Sequence, residues 1–267
     1  MRRRDLIAGA SAFGLAGCVT VAPPSLPPGA LQERRRIGVV TAFDPQLELT
    51  FSGITVFDSL PKTVTVDWPL NAQSLALARR LLEPHHTLVE VQLDPAAIVE
   101  TQRPVGFRTP ETRLGDLLRA RVTPGAVDAL VLVMTASVKA QDFPIVGSGQ
   151  TMPYGLRVTG RIARSEQGGL TAQSAFAVAY KAVVIDGRTL DPLVAVAPTQ
   201  MMQTLYWRWN VETLPLVRLD FTWRGQEWTE MPLEQRETLR LAATSLVEGS
   251  LPKALARTGL LPGPAGA

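Results

Sequence analysis

Apolar residues fall along this chain in two rhythms. In the first half, short apolar runs alternate with stretches whose apolar positions recur every three or four residues. Ile37–Phe43 reads as a buried strand. Leu47, Leu49 and Phe51, then Val64 and Val66, alternate as half-exposed strands do. Leu75, Ala78 and Leu82, with Leu77 and Leu81, form one helical face, which Asn71 is placed to cap and Pro84 to end. Thr87–Leu93 predicts a further strand. Thr109 followed by Pro110 reads as an N-cap with proline at the first helical position, Leu114, Leu117 and Leu118 supply the buried stripe, and Pro124-Gly125 stops the helix. Ala129–Met134 is apolar at every position, as a central strand covered on both faces must be.

The second half is extended. Leu156–Ile162 and Leu170–Ile185 are separated by Gly168-Gly169, and Asp186-Gly187 turns the chain into Leu190–Val196. Leu216–Trp223 predicts another strand. A helix is expected over Pro232–Glu248, with Leu239, Ala243 and Leu246 inward and Gly249 as its cap. Ser250-Leu251-Pro252 is placed to begin a last short helix. No internal repeat is visible. This order predicts an α/β fold: a mixed sheet, parallel strand–helix–strand units in the first half, antiparallel hairpins in the second, and helices packed on it. An α+β arrangement is the alternative.

Residues 1–17 follow neither rhythm. Arg2, Arg3 and Arg4 precede an apolar run, Leu6–Ala16, that is far shorter than the roughly 20 residues needed to span a bilayer. A positive start, a short apolar run and a small-residue end describe an export signal. Arg3-Arg4-Asp5-Leu6-Ile7 resembles a twin-arginine signal, which implies export after folding; a general export signal is the alternative. Leu15-Ala16-Gly17-Cys18 resembles the lipobox of bacterial lipoproteins. That resemblance implies cleavage before Cys18 and lipid attachment to it, and several acyl chains make such an anchor permanent. A structural cysteine is the other reading of Cys18, which is the only cysteine of the chain. In this family Asp after the lipidated cysteine marks retention in the inner membrane. Val19 and Thr20 stand there instead, so the expected location is the periplasmic face of the outer membrane, with the inner membrane as the alternative.

The expected organisation is an export signal at 1–17, a lipidated cysteine and proline-rich tether at 18–34, one domain at 35–259 and a flexible tail at 260–267. A polyproline-like tether over Val19–Gln32 advances about 3.1 Å per residue, enough to hold the domain roughly 40 Å from the lipid. The chain is 46% apolar and 19% charged, the composition of a globular protein. The leader holds three of the 27 basic and one of the 24 acidic residues, which leaves 24 against 23. A nucleic-acid groove needs concentrated positive charge, and nucleic acid is not an expected partner.

Candidate chemistry is sparse. The two histidines, His85 and His86, read as a surface pair at the helix-to-strand turn after Pro84; being adjacent, they point to opposite faces if extended, so a shared metal is not expected, nor is a cofactor. Ser148, in Val146-Gly-Ser-Gly-Gln150, supports the alternative of a small serine hydrolase that recruits His86 and an aspartate such as Asp67. Its glycines are its immediate neighbours, unlike the spacing of a nucleophile elbow. Asp128, Asp186 and Asp191 read as turn residues. Aromatic residues are the stronger lead. Tyr206-Trp207-Arg208-Trp209 puts Trp207 and Trp209 on one face, and Trp223 lies in the next strand. Core packing or an exposed partner surface both suit them.

Val127-Asp-Ala-Leu-Val-Leu-Val133, followed by Tyr180-Lys-Ala-Val-Val-Ile-Asp-Gly-Arg-Thr-Leu190, resembles the central strand and hairpin of small periplasmic α/β lipoproteins of the curli-secretion and penicillin-binding-protein-activator types. Leu190 stands where those families carry glycine. The resemblance implies an accessory role in envelope assembly or transport, carried by contact with an envelope protein and by the lipid anchor, with no catalytic residue. A glycan or small ligand bound in a cleft at the strand ends of the first half is a further alternative.

Overall fold

The computed structural model describes residues 26–52, 61–103, 108–138, 140–141, 150–151, 154–164, 170–203 and 210–262. The strands in chain order are β1 (Arg36–Ala42), β2 (Gln46–Ser52), β3 (Lys62–Thr65), β4 (Thr87–Val89), β5 (Ala129–Thr135), β6 (Ala140–Gln141), β7 (Gln150–Thr151), β8 (Gly155–Arg164), β9 (Leu170–Asp186), β10 (Pro192–Val196), β11 (Gln200–Gln203), β12 (Asn210–Thr213) and β13 (Leu216–Arg218). The helices are α1 (Leu70–Leu82), α2 (Pro95–Gln102), α3 (Pro110–Arg121) and α4 (Leu233–Ala256). The mixed sheet and its flanking helices make the α/β fold that the two rhythms predict.

One strand organises the sheet. The N-terminal part of β9 pairs antiparallel with β8, from Arg164↔Leu170 to Gly155↔Ala179, and its C-terminal part with β5, from Thr135↔Tyr180 to Ala129↔Asp186. β1 runs parallel to β5, and β2 runs parallel to β8. Only Phe43, Asp44 and Pro45 separate β1 from β2. Were β5 and β8 on opposite edges of β9, that link would have to cross four strand spacings, about 19 Å. Four Cα steps reach at most about 15 Å. β1 and β2 therefore lie end to end, as do β5 and β8, along one edge of β9. β10 and β13 take its other edge, while β4 and β3 flank β1 and β2.

Alternation along β1, β5 and the C-terminal part of β9 feeds two cores. Ala129, Val131 and Val133 point to one face with Ile37, Val39, Tyr180 and Val184, and α1 and α4 cover it. Leu130, Leu132 and Met134 point to the other with Val40, Val183 and Ile185, beneath α2 and α3. Every residue of β5 is buried, which explains its unbroken apolar run.

Several local signals are overridden. Asn71 does not cap α1: the helix begins at Leu70 after Pro69, and the Asn71 amide turns inward. α2 was not expected, although Asp94-Pro95 carries the same signature as Thr109-Pro110, and both side chains accept a hydrogen bond from the backbone two or three residues on. β4 stops at Val89, four residues short of Leu93. Gly249 and Pro252 lie inside α4, which runs on to Ala256. Burial of Leu251, Ala254 and Leu255 outweighs the roughly 1 and 3 kcal/mol that glycine and proline cost a helix.

The chain ends also differ from expectation. Leu31 is buried, and Leu260 is buried too, so part of the expected tether and part of the expected tail belong to the body. Residues 263–267 lie outside the described residues. The hairpin after β9 holds one positive-φ residue that is not glycine, Leu190 at φ 60°. This is the position where the resembling families carry glycine. Its side chain is packed in the core beneath α2 and α3, which compensates for the left-handed backbone.

Gly187 in the same turn has no room for a side chain: an added Cβ would lie 1.9 Å from the Val127 carbonyl oxygen. Gly187→Ala is expected to destabilise the protein by about 3 kcal/mol, measured as a lower urea midpoint at unchanged slope.

Candidate functional site

The junction between the end-to-end strands concentrates buried polar chemistry. Asp44 sits in the link between β1 and β2 and is fully buried. Its carboxylate accepts from Arg103 Nε at 3.1 Å and Nη2 at 3.2 Å, from Tyr154 Oη at 3.2 Å and from the Gln46 backbone N–H at 3.0 Å. The Asp44 N–H donates to Thr135 Oγ1 at 2.9 Å, where β5 ends. Beside it, Asn71 acts as a surrogate strand. Its Oδ1 accepts from Phe43 N at 2.6 Å, its Nδ2 donates to Phe43 O at 3.3 Å, and Thr41 Oγ1 donates to its carbonyl at 2.8 Å. A chain that leaves one strand and starts another loses ladder partners, and these side chains replace them.

Electrostatics keep this junction closed. The hydrogen bond to Asp44 raises the Arg103 guanidinium above its ordinary value. Burial, reinforced by the Asp44 charge, pushes the Tyr154 phenol upward, so it stays a donor. Arg103 also donates to Glu100 Oε1 at 2.6 Å, and Arg113 donates to the carbonyls of Glu100 and Arg103. The carboxylate is thus saturated by a two-pronged guanidinium, a phenol and an amide. Such a set orients and locks; it offers no nucleophile. Arg103 and Tyr154 bind Asp44 at the strand ends of the first half, where the ligand cleft of the alternative reading would lie. Among the described residues, no group of three or more His, Cys, Asp or Glu side chains is placed to hold a metal.

A second polar cluster lies at the opposite end, where β1, β4 and β5 begin and α1, α3 and α4 finish. His86 is buried, not on the surface as expected. Its Nδ1 lies 2.7 Å from the Arg34 carbonyl and its Nε2 3.0 Å from the Leu260 carbonyl. The ring therefore joins the start of the body to its end. Gly29 N–H donates to Leu261 O at 2.9 Å and Leu31 N–H to Gly259 O at 2.8 Å, which tightens the same clasp. Arg34 pairs with Asp186 at 3.0 Å. The backbone N–H groups of Thr189 and Arg188, with Arg34 behind them, hold the Asp186 carboxyl below its ordinary value. Asp128 is lowered chiefly by the Arg36 N–H, then by the Arg35 N–H.

The sequence-derived site residues divide sharply. Arg3, Arg4, Leu15, Ala16, Gly17 and Cys18 lie outside the described residues, as do Ser148, Tyr206, Trp207 and Trp209. Trp223 is corrected: it is 1% exposed, donates from Nε1 to Gln226 O at 3.2 Å and meets Phe51 edge-on at 6.0 Å. A ring so enclosed cannot form a contact surface. Among the described residues, the tryptophans that keep partial exposure are Trp68 and Trp228, 6.5 Å apart, with the Arg236 guanidinium 5.9 Å above Trp228. The hydrolase constellation does not assemble around His86. Asp67 precedes α1 and His86 follows it, so about 20 Å of helix separates them. Both nitrogens of His86 already face carbonyls.

No protein-family model matches the chain, and no curated protein does. Among solved structures, lipoprotein GNA1162 from Neisseria meningitidis is similar over 81% of this chain and 99% of its own, at 14% identity and a TM-score of 0.24. The hypothetical protein CT253 from Chlamydia trachomatis is similar over 82% of this chain and 98% of its own, at 9% identity and a TM-score of 0.27. Scores this low carry no argument about function.

Two outcomes follow from the polar clusters. Tyr154→Phe is expected to cost about 1 kcal/mol by chemical denaturation and Asp44→Ala about 2, because the latter removes at once the acceptor of the Gln46 amide, the Tyr154 phenol and the Arg103 guanidinium. Asp186 and Asp128 have folded values below their ordinary 3.8, so the stability they contribute is present above that pH and lost as pH falls through and below it. The Tm of Asp186→Asn should lie below that of the parent at neutral pH, and the gap should narrow as the pH falls below 3.8.

Proposed function

We propose that this chain is a lipid-anchored accessory protein of the bacterial envelope, held on the periplasmic face of the outer membrane and acting by contact with an envelope protein. The observation that carries the reading is the order of its first eighteen residues: three arginines, a short apolar run, then Leu15-Ala16-Gly17 before the sole cysteine. Two features of the body agree with it. Among the described residues, no helix is long and apolar enough to cross a membrane. Among the described residues, the two polar clusters serve the architecture: one repairs the strand junction and the other joins the two chain ends. Contact with a partner is assigned to the Tyr206–Trp209 aromatics.

The anchor is tested in growing cells with radiolabelled palmitate. Label is expected in the parent and absent from Cys18→Ala, which should leave the membrane fraction and appear in the soluble periplasm. A Cys18→Ala protein that stays on the membrane would overturn the anchor. A photo-crosslinker at position 207 should trap one dominant envelope protein, and a crosslinker at the exposed position 218 should not.

A further inference from the structure

The end of the body that carries the clasp is also its most cationic end. Arg79 and Arg80 close α1, Arg121 closes α3, and Lys253 lies in the last turn of α4, with Arg257 just beyond it; all five are exposed. One cation per helix terminus would suffice to complement a helix dipole. Arg35, at the start of β1, and Arg188, in the turn between β9 and β10, are exposed on the same end and terminate no helix. Contacts fix them together: Thr87 N–H donates to Arg35 O, Gly187 N–H to Asp128 O, and Arg119 of α3 lies 3.8 Å from Asp191 in the hairpin turn. Among the described residues, none of these seven side chains has an ion-pair partner. Asp128 and Asp186 are engaged by backbone N–H groups and Arg34, which leaves Glu33, Glu83 and Asp191 as the exposed carboxylates of this end. Beyond the leader the chain as a whole holds 24 basic and 23 acidic residues, so this excess reflects segregation and not composition.

The chain enters the body at this same end. Leu26 and Pro27 pack on Gly259, just past the end of α4. Cys18 is eight residues before Leu26, and eight residues span at most about 29 Å. The standoff is therefore shorter than the roughly 40 Å that a tether reaching Gln32 would allow.

We propose that this cationic end is a docking surface for the anionic phospholipid headgroups of the leaflet that holds the anchor, so that the body stands base-down on the membrane. For its orientation the proposal rests on the lipid-anchor reading; its test does not. Each exposed Lys or Arg near an anionic surface strengthens attachment by about fivefold. That attraction decays within about 8 Å at physiological salt. A short anchor keeps the base close to that range, so a weak attraction suffices to orient the body.

The test uses the mature-length chain, residues 18–267, with Cys18→Ser so that no acyl chain contributes. All contacts described above lie within 26–262 and are retained. Co-sedimentation is measured with vesicles of phosphatidylcholine alone and with 30% phosphatidylglycerol. Binding is expected only to the anionic vesicles, and 0.5 M salt should release it. Arg79→Gln/Arg80→Gln/Lys253→Gln/Arg257→Gln should weaken it by about 100-fold or more. Arg218→Gln/Arg224→Gln, at the far end, should change it less than twofold. Thermal melts report whether each variant is folded, and Arg79→Gln/Arg80→Gln alone, expected to weaken binding at least tenfold, serves if the quadruple variant is not. Equal binding to both vesicle types, or equal binding by the basal and distal variants, would overturn the proposal. So would preference for soluble polyglutamate over vesicles, which would assign the surface to an acidic protein. Palmitate labelling of Cys18 is read separately, so a failed anchor and a failed surface are distinguishable.

Discussion

Backbone hydrogen bonding along one 17-residue strand constrains everything else in this molecule. Leu170–Asp186 is longer than either strand that faces it, so two strands must share its edge, and two more must share the edge beyond. Each hand-over breaks a ladder, and the exposed amide and carbonyl groups there must find other partners. The break between β1 and β2 is where the polar side chains collect. Asn71 supplies a donor and an acceptor to Phe43, Asp44 takes Gln46 N–H and gives its own to Thr135, and Arg103 neutralises the buried charge that results. The cluster that most resembles an active site is thus explained by the sheet it repairs.

What could be read beforehand follows from this distinction between local and nonlocal causes. Ala129–Met134 announced a doubly covered strand because burial on both faces leaves no polar position. Thr109-Pro110 announced a helix because its cap is made within three residues. Asn71 and Gly249 looked equally clear and were used otherwise, since an inward hydrogen bond in one case and three buried residues beyond it in the other outweigh a cap of about 1 kcal/mol. The junction itself left no trace in the sequence. Asp44 lies 59 positions from Arg103 and 110 from Tyr154, so no local pattern connects them. His86 was misread for the same reason: its two partners are 52 and 174 positions away.

The clasp changes what the chain ends mean. A tether that ran free to Gln32 would leave the body loosely attached, able to present any side to its surroundings. With Leu31 buried and Gly29 and Leu31 bonded to the segment after α4, the free length ends at the base. A pull on the N-terminus is then borne by buried hydrogen bonds and by His86, not by a strand peeling from the sheet. The cost is that the body and its attachment point become one rigid object, so wherever the chain enters, that side is held nearest to whatever the N-terminus is fixed to.

Polarity of the body follows from helix direction. α1, α3 and α4 finish at the base, so their carbonyl ends favour cations there. The far end receives the helix starts and the aromatic stack of Trp68 and Trp228 beneath Arg236. Helix polarity accounts for some of this charge separation but not for Arg35 and Arg188, which cap nothing and lie where solvent would accept any polar residue. Positive charge beyond what the helices require, gathered where the chain enters the body, attracts negative charge held nearby. The anionic leaflet proposed above would supply that charge. That arrangement would turn the end that carries Trp68 and Trp228 away from the leaflet.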